Sequence, residues 1–445
     1  HFNFMLGANA EEGDNYMQFS KRMNLLDYSK PEFDLATGDQ TVDGYHNQWG
    51  ACGYFGRINY DYKGIYLLEL NGRYDGSSKF PANDRWAFFP SGSIGYRFSE
   101  ENYFANLKRY ISNAKFRASY GEIGNQAVGD NMFIETISKL SDSNVDWLDG
   151  NGVKIVSYDM PKMVSKTLKW ERIQTLNLGL DLGFLNNELN PSFDWFQRTT
   201  KDMLAPSKTL PDVLGTDEPY VNAGTLRTRG WEFNIDWHHS FKGGLNLYAS
   251  FNINDYVTKI TKWDNDTKLL NSKYSGKTYG DIWGFETDRL FKSSDFNSDG
   301  TYATGVADQS GLQSGTFKYG AGDIKFKDLD KSGVIDAGKQ TADDHGDLKV
   351  IGNTTPRYQY SFRIGGSWKG FDIDMFFQGV GKRDVWTQSA FVMPFMRGVD
   401  AIYANETDYW TENNLNAKYP RPFGGGAGMG KISVLDKGCY NFYPQ

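Results

Sequence analysis

The sequence has little cysteine and histidine and no long run of apolar residues. Its 445 residues include 2 Cys and 5 His, too few for a zinc framework or a dense disulfide scaffold. No stretch approaches the roughly 18 apolar residues of a membrane-spanning helix, and the mean hydropathy is −0.59. These absences exclude a helical membrane protein. Cys52 and Cys439 would form a disulfide only if the fold brought them together.

Basic residues are also in deficit. The chain has 48 Lys and Arg against 55 Asp and Glu, a net charge of −7, whereas a nucleic-acid binder needs a basic face. Nucleic acid is therefore not an expected partner. No signal peptide opens the chain and no closing strand ends it, so both ends are expected to be cut from a longer protein.

What the chain has in excess is aromatic residues, at 16%, and 49 glycines, a composition typical of strands, tight turns and interfacial aromatic belts. Polar and apolar residues alternate over long runs. In one of them Glu69, Asn71 and Arg73 are separated by Leu68 and Leu70. Successive side chains of a strand point to opposite faces, so one face is polar and the other apolar. Runs of this length match the roughly 9–11 tilted residues with which a β-strand crosses a bilayer.

The alternation recurs eleven times along the chain. The predicted strands are 1–7, 51–62, 65–75, 86–98, 115–121, 175–184, 189–200, 229–240, 245–255, 356–368 and 371–380. On their polar side they carry residues that we expect to line an aqueous lumen: Asn71, Arg73, Asn177, Asp181, Glu232 and Asn234. Their apolar side is expected to face membrane lipid.

The connections between these strands are of two kinds. Short ones lie near 63, 106, 186, 243 and 369, and the others, mostly long, span 8–50, 76–86, 122–170, 201–228, 256–355 and 381–445. In an antiparallel meander the long connections share one end, as in outer-membrane barrels. We therefore predict an all-β fold, a transmembrane antiparallel β-barrel with long extracellular loops. Residues 1–445 would form part of one barrel domain, and 256–355 its large extracellular loop. The alternative is a soluble β-sandwich or propeller, whose strands are usually shorter.

The longest connection contains a run, DLDKSGVID, with oxygen-bearing residues at the spacing of a calcium loop. Such a loop places ligands at positions 1, 3, 5 and 7, the last through a backbone carbonyl, with glycine at position 6. The candidate ligands are Asp328, Asp330, Ser332, the carbonyl of Val334, and Asp336. Position 12 is Lys339 instead of a bidentate glutamate, so Asp343 or Asp344 would have to complete the shell. A weaker copy, DFNSDG, occupies 295–300. The alternative is a solvated Asp/Gly turn.

No catalytic motif is present, and the chain is not expected to be an enzyme. The glycine-rich run 424–430 lacks the Lys-Ser/Thr of a phosphate loop and is interpreted as a flexible loop. His238 and His239 point to opposite faces of a strand and cannot chelate together. Five loop aromatics could stack on a sugar or line a peptide cleft, or simply pack within the loops: Trp147, Tyr158, Trp263, Tyr279 and Trp283.

Six stretches, in this order along nearly the whole chain, carry a resemblance to a known family. They are GRINYDYKGIYLLELNGRYDGSSKF (56–80), SYGEIGNQAVGDN (119–131), KWERIQTLNLGLDLGFLNNELNPSFDWFQRTTKDML (169–204), NAGTLRTRGWEF (222–233), GDIKFKDLDKSGVID (322–336) and VIGNTTPRYQYSFRIGGSWKGFDIDMFFQGVGKRDVW (350–386). They resemble the barrel of SusC-type (RagA-like) TonB-dependent outer-membrane transporters. The N-terminal plug, the TonB box and the opening and closing strands of that family are not found in this sequence.

The resemblance implies a function as well as a fold. It implies a 22-stranded barrel, of which this chain would supply eleven strands, in the outer membrane of a Gram-negative cell. It also implies a SusD-like surface lipoprotein as a lid and import of oligosaccharides or oligopeptides energised by TonB. Two alternatives remain open: a passive porin-like channel, and a surface glycan-binding β-protein. Calcium in the long loop is the one cofactor expected.

Overall fold

The computed structural model describes residues 1–140, 147–207, 211–313, 317–385 and 403–422. Eleven of its strands form one antiparallel sheet: β1 (Phe2–Arg22), β2 (Gln40–Tyr62), β3 (Tyr66–Ser77), β4 (Trp86–Tyr96), β5 (Ile111–Asn125), β6 (Glu171–Phe184), β7 (Leu189–Pro206), β8 (Tyr220–Ser240), β9 (Asn246–Lys262), β14 (Arg357–Trp368) and β15 (Phe371–Lys382). Their order in the sheet is the order along the chain. This confirms the predicted number of strands and the meander.

Four shorter strands lie between β9 and β14. They are β10 (Asp281–Phe285), β11 (Thr287–Leu290), β12 (Ile324–Phe326) and β13 (Leu348–Asn353), and they pair as β10 with β13 and β11 with β12. The helices described are single turns of 3-10 helix: Phe33–Leu35, Phe98–Glu100, Asn102–Phe104, Asp212–Leu214, Ser293–Asp295, Ser310–Leu312 and Ala404–Glu406. No helix within the described ranges is long and apolar enough to cross a membrane.

The chain forms two compact units. The first comprises His1–Phe251 and Ile364–Asp374, and the second Asn252–Arg363 and Met375–Gln445. In the first unit the strands are joined at one of their two ends by the connections 23–39, 78–85, 126–170 and 207–219. At the opposite ends they are joined by 63–65, 97–110 and 185–188. The predicted segregation of the longer connections holds for these strands, although 78–85 is shorter than 97–110.

Two of the predicted tight turns have the backbone that a two-residue hairpin requires. Such a turn needs positive φ at both central residues, which glycine adopts at no steric cost. Lys63 and Gly64 have φ of 57° and 68°, and Lys369 and Gly370 have φ of 48° and 86°. Lys369 and Gly370 join β14 directly to β15, and Lys63 and Gly64 are followed by Ile65 before β3, so the register of both hairpins is set locally.

Many large side chains on the apolar side of the sheet are exposed in the first unit. Leu70 is 47% exposed, Ile94 55%, Leu178 37% and Phe193 44%. A soluble sheet would bury such a face against a second layer, because each large side chain kept in water forfeits about 1.5–3 kcal/mol. Such exposure is therefore the arrangement expected where hydrocarbon replaces water.

Aromatic side chains border this apolar face at both ends of β3. At the short-turn end the ring centroids of Tyr66 and Tyr96 lie 5.2 Å apart and the rings stack, and at the other end Trp86 stacks on Tyr74 at 5.0 Å. At about 3.3 Å per residue, Tyr66 and Tyr74 are about 26 Å apart along the strand. With a tilt near 40° the two belts are about 20 Å apart across the bilayer, close to the usual apolar band.

The first long connection differs from its prediction. Residues 8–50 were expected to form a loop, but Ala8–Arg22 continues β1 and pairs with Gln40–Tyr54 of β2. The register runs without a break from Phe2 opposite Tyr60 to Arg22 opposite Gln40. Apolar residues such as Tyr16, Met17 and Phe19 occur there on both faces of the ribbon, so the alternation is lost while the backbone ladder that defines the strand persists.

The connection 263–356 is a folded unit and not an open loop. Its core contains Leu270, Tyr274, Phe285, Phe291, Leu312, Phe317, Tyr319, Ile324, Phe326, Ile335 and Leu348. Within the loop predicted over 256–355 the sequence did not indicate this core, because the apolar residues that build it are scattered and show no strand or helix period.

Candidate functional site

The polar side of the sheet carries ion pairs that cross several strands. Arg117 of β5 donates to Asp181 of β6 with both N···O distances at 2.8 Å, and to Asp194 of β7 at 2.9 and 3.0 Å. Gly179 lies beneath this guanidinium, and a Cβ there would come within 2.6 Å of its carbon. Glycine at this position therefore lets one arginine join three strands, all on the face predicted to be polar.

A second group of polar contacts covers β1–β3. Arg73 forms a bidentate pair with Asp75 at 2.8 and 3.1 Å and donates to Asn9 at 3.1 Å. The ring of Phe55 lies 5.1 Å from the Arg73 guanidinium. These contacts hold the Arg73 side chain in a fixed position on the polar face. Its positive charge is balanced by the carboxylate of Asp75.

The polar face also contains a recess of about 420 Å³, which Arg117 helps to line. Its lining includes Asn3, Asn59, Glu69, Lys115, Arg117 and Asn177. Asn177 was predicted to face the lumen and lines this recess, and Asp181 and Arg73 lie in the two groups described above. Asn71 bonds to Arg57 and Glu69 on the same face. Glu232 pairs in register with Asp194, and Asn234 with Ser192, so both also share this face.

The predicted calcium turn brings three carboxylates together in the second unit. One oxygen each of Asp328, Asp330 and Asp347 lies within 4.8 Å of the other two. Two oxygens bound to the same calcium at about 2.4 Å can be no farther apart than about 4.8 Å, so this spacing fits a shared ion. Asp336 is outside this group, and the Ser332 hydroxyl donates to the Val334 carbonyl at 2.9 Å.

Asp347 was not predicted from the sequence. It is fully buried and accepts backbone N–H bonds from Leu329 at 2.6 Å and Asp336 at 3.0 Å. Burial raises the pKa of the Asp347 carboxyl, whereas hydrogen bonds from Ser332 lower the pKa of Asp330. Asp347 lies beyond the span of a calcium loop, so spacing could not indicate it, and only the packed connection brings it to the turn.

The residues expected to complete the shell are engaged elsewhere. Asp343 pairs with Lys268 at 2.9 Å, and Asp344 pairs with Lys339 at 3.3 Å. The weaker copy at 295–300 has a different role, because the Asp295 carboxylate forms a bidentate pair with Arg289 at 2.5 and 2.7 Å. The Arg289 guanidinium lowers the pKa of Asp295.

Charge balance separates the three carboxylates from several other acids of this unit. Asp295, Asp323, Asp343 and Asp344 each have a basic partner, and Glu286 has two, Lys327 and Lys349. Over the described ranges no lysine or arginine forms an ion pair with Asp328, Asp330 or Asp347. These three therefore concentrate negative charge with only hydrogen-bond donors around it.

The remaining predicted positions have varied surroundings. Trp147, Tyr158 and Tyr279 are 78%, 65% and 51% exposed, while Trp283 packs against the core of the second unit. Trp263 lies under the Lys273 ammonium at 4.7 Å. His239 bonds to Glu188. The glycine-rich run 424–430 and Cys439 lie outside the described residues.

Comparison with known proteins identifies the family of this chain. Residues 1–321 match the family model described as TonB dependent receptor-like, beta-barrel. The chain belongs to this family. TonB-dependent receptor P3 of Formosa agariphila is 29% identical over 393 residues, which cover 85% of this chain and 36% of that protein. TonB-dependent receptor SusC of Bacteroides thetaiotaomicron is 30% identical over 268 residues, covering 59% of this chain and 26% of SusC.

A solved structure extends the fold comparison over almost the whole chain. The structure of the RagAB peptide importer in the open-open state matches with a TM-score of 0.67 and 18% identity, covering 97% of this chain and 45% of that one. The chain thus spans about a third of the length of the relatives it matches and under half of that structure. Like its family, this TonB-dependent receptor barrel crosses the outer membrane with its strands, as the resemblance implied. The predicted all-β barrel fold and location are confirmed.

Proposed function

We propose that this chain is the wall of an outer-membrane importer that takes up oligosaccharides or oligopeptides with energy delivered by TonB. The observation that carries the proposal is the division of the sheet into an exposed apolar face and a polar face with fixed ion pairs and a recess of about 420 Å³. Relatives named as TonB-dependent receptors and a fold shared with a peptide importer support it.

In this proposal each face has its own role. The apolar face meets lipid, while the polar face surrounds a water-filled path and hydrogen-bonds to the cargo and to a plug. The folded connection 263–356 stands outside the cell, where a SusD-like lipoprotein would close over the barrel. Because Arg117 and Arg73 are already paired with carboxylates, their charges are balanced within the wall, which suits the binding of uncharged sugars or peptide backbones.

Uptake in cells that carry the full-length gene tests this function. Size-fractionated labelled oligosaccharides and peptides are supplied with TonB present and with TonB deleted. We expect accumulation of one class only when TonB is present. Equal accumulation in both strains would instead identify a passive porin-like channel. Co-purification of a lipoprotein with the tagged full-length protein, identified by mass spectrometry, tests the lid.

We also propose that Asp328, Asp330 and Asp347 bind one calcium ion that stiffens the folded connection. Convergence of three oxygens without a basic partner within the described ranges supports this assignment. The Ser332 hydroxyl and the Val334 carbonyl are further candidate ligands, because they lie in the same predicted calcium loop as Asp328 and Asp330. Hard carboxylate oxygens are the ligands that calcium prefers.

Thermal unfolding of the full-length protein with calcium or with a chelator tests the ion. We expect calcium to raise the unfolding temperature of the wild type, and Asp347→Asn to lose most of that increase. Asp343→Asn is the matched control, because Asp343 pairs with Lys268 and should leave the calcium response intact. An equal loss in both variants would contradict the assignment.

A further inference from the structure

A group of basic side chains lies on the outer face of β7 and β8, next to the apolar band. Register pairs Trp195 with Trp231, then Gln197 with Arg229, then Thr199 with Arg227, all on one face. Lys201 follows on the same face of β7. We call Lys201, Arg227 and Arg229 the basic patch. It begins immediately beyond Trp195 and Trp231, which end the apolar rows on these two strands. It extends toward the strand ends that the longer connections join.

The height of the patch matches the headgroup layer of the membrane. Each residue advances about 3.3 Å along a strand, and barrel strands tilt by about 40°. Arg229 and Arg227 therefore stand about 5 and 10 Å beyond Trp231 along the bilayer normal. Tryptophan marks the interface between hydrocarbon and headgroups, so both guanidinium groups reach the headgroup layer.

Among the described residues no acid forms an ion pair with the basic patch. Glu122 of β5, which lies on the same face by register, pairs with Arg172 of β6 at 3.0 Å. Arg229 donates through Nε to the neutral amide of Gln197 at 2.7 Å, and its two Nη groups form no ion pair with any residue that the structure describes. The nearest carboxylate in sequence, Asp202, pairs with Lys169 at 3.4 Å. Within the described residues Arg227 and Lys201 form no ion pair. Arg229 and Lys201 are exposed and Arg227 is half-buried.

Beside the apolar band, the strands β1–β4 lack this basic charge on their outer face. At the corresponding end of the apolar band, β2–β4 carry the uncharged Tyr54, Tyr74 and Trp86, whose rings stack on each other. On β1 the same face continues with Glu12 and Asp14, which are acidic. If basic residues were a general feature of the barrel rim, β1–β4 would carry them too. The basic patch is therefore local.

We propose that the basic patch binds the phosphorylated headgroup of a lipid in the leaflet on the long-connection side. Paired arginines bind phosphate through several N–H groups at once, and the adjoining apolar rows would contact the acyl chains of the same molecule. The occupant is a lipid and not a soluble anion, because the patch adjoins the lipid-facing surface, not the polar recess. The lipid would fix the orientation of β7 and β8 in the bilayer.

Lipid retention by the full-length protein in detergent tests this proposal. The probes are lipid A with its phosphates and chemically dephosphorylated lipid A, with bound lipid counted by native mass spectrometry. We expect Arg227→Gln/Arg229→Gln to reduce retention of phosphorylated lipid A by about 30-fold, from about 1 kcal/mol for each basic residue near anionic headgroups. Dephosphorylated lipid A should be retained weakly by both proteins.

A matched control removes the same charge elsewhere. Arg198→Gln/Lys30→Gln takes one charge from the opposite face of β7 and one from the 23–39 connection, and should retain lipid as the wild type does. Heat-modifiable migration on gels verifies that each variant is a folded barrel. Equal loss in the control, equal retention of the two lipids, or displacement of the lipid by equimolar inorganic phosphate would each overturn the proposal.

Discussion

At the residue scale, the direction of each side chain decides its environment. Neighbouring residues of one strand, such as Asn177 and Leu178, face a polar recess and an exposed apolar surface respectively. This could be predicted from the sequence, because a strand alternates with a period of two and only one face meets lipid. The partners of Arg117 could not be predicted, since Asp181 and Asp194 lie far away in sequence.

Substitution by arginine at adjacent positions should give opposite results. Leu178→Arg places a charge on the lipid-facing side, which costs about 2–4 kcal/mol near the middle of the bilayer. Asn177→Arg places the same charge on the polar face. We expect the first variant, but not the second, to be strongly reduced at the cell surface, as measured by surface labelling. Equal surface levels would refute the assignment of the two faces.

Removal of Arg117 should destabilise the wall through the carboxylates that it leaves behind. In Arg117→Met, Asp181 and Asp194 lose their shared partner and repel each other. We expect a loss on the order of 2 kcal/mol in the free energy of unfolding, measured by urea titration in lipid vesicles. Arg198→Met, on the same face of β7, is the control and should change little. A matching loss there would show that charge alone matters.

At the element scale, strands continue wherever backbone pairing continues, whether or not their side chains alternate. The ends of β1 and β2 beyond the bilayer were missed for this reason, because backbone pairing continues there, as between Asn15 and Asn47, without alternating side chains. The folded connection 263–356 was missed because its core depends on residues such as Phe291 and Ile335, which no local period relates.

The β1–β2 ribbon should be protected from solvent exchange despite its exposed side chains. Its backbone N–H groups pair from Arg22 back to Phe2. We expect amide hydrogen exchange of 9–22 and 40–53, followed by mass spectrometry on the full-length protein, to be slower than that of 126–140. Rapid exchange throughout 9–22 would mean that this segment is a loop, as its sequence first indicated.

Acid should weaken the folded connection through Asp295. Arg289 holds the folded-state pKa of Asp295 below its ordinary value, so the stability that the pair contributes is present above about pH 4 and is lost as pH falls through the lower folded pKa. We expect pepsin cleavage within 263–356 of the full-length protein to rise below about pH 4. Asp295→Asn should be cleaved more readily at higher pH and show less of this acid dependence.

At the scale of the whole molecule, the exposed apolar face determines where the protein can exist. A sheet with Leu70, Ile94 and Phe193 in water would aggregate, while the same sheet in a bilayer needs no second layer. We expect the full-length protein to fractionate with outer membranes and to require detergent for extraction. Recovery of a monomer from the soluble fraction without detergent would favour the surface glycan-binding alternative.

The sequence by itself determined the strands that cross the membrane, their order and their two faces, because each is a local consequence of alternation and tight turns. Tertiary structure alone decided the contacts between distant residues, such as the sharing of Arg117 by Asp181 and Asp194. It also decided the approach of Asp347 to Asp328 and Asp330. Such contacts depend on strand register and on the packing of an irregular core. Neither of these produces a periodic pattern in the sequence from which the contacts could be predicted.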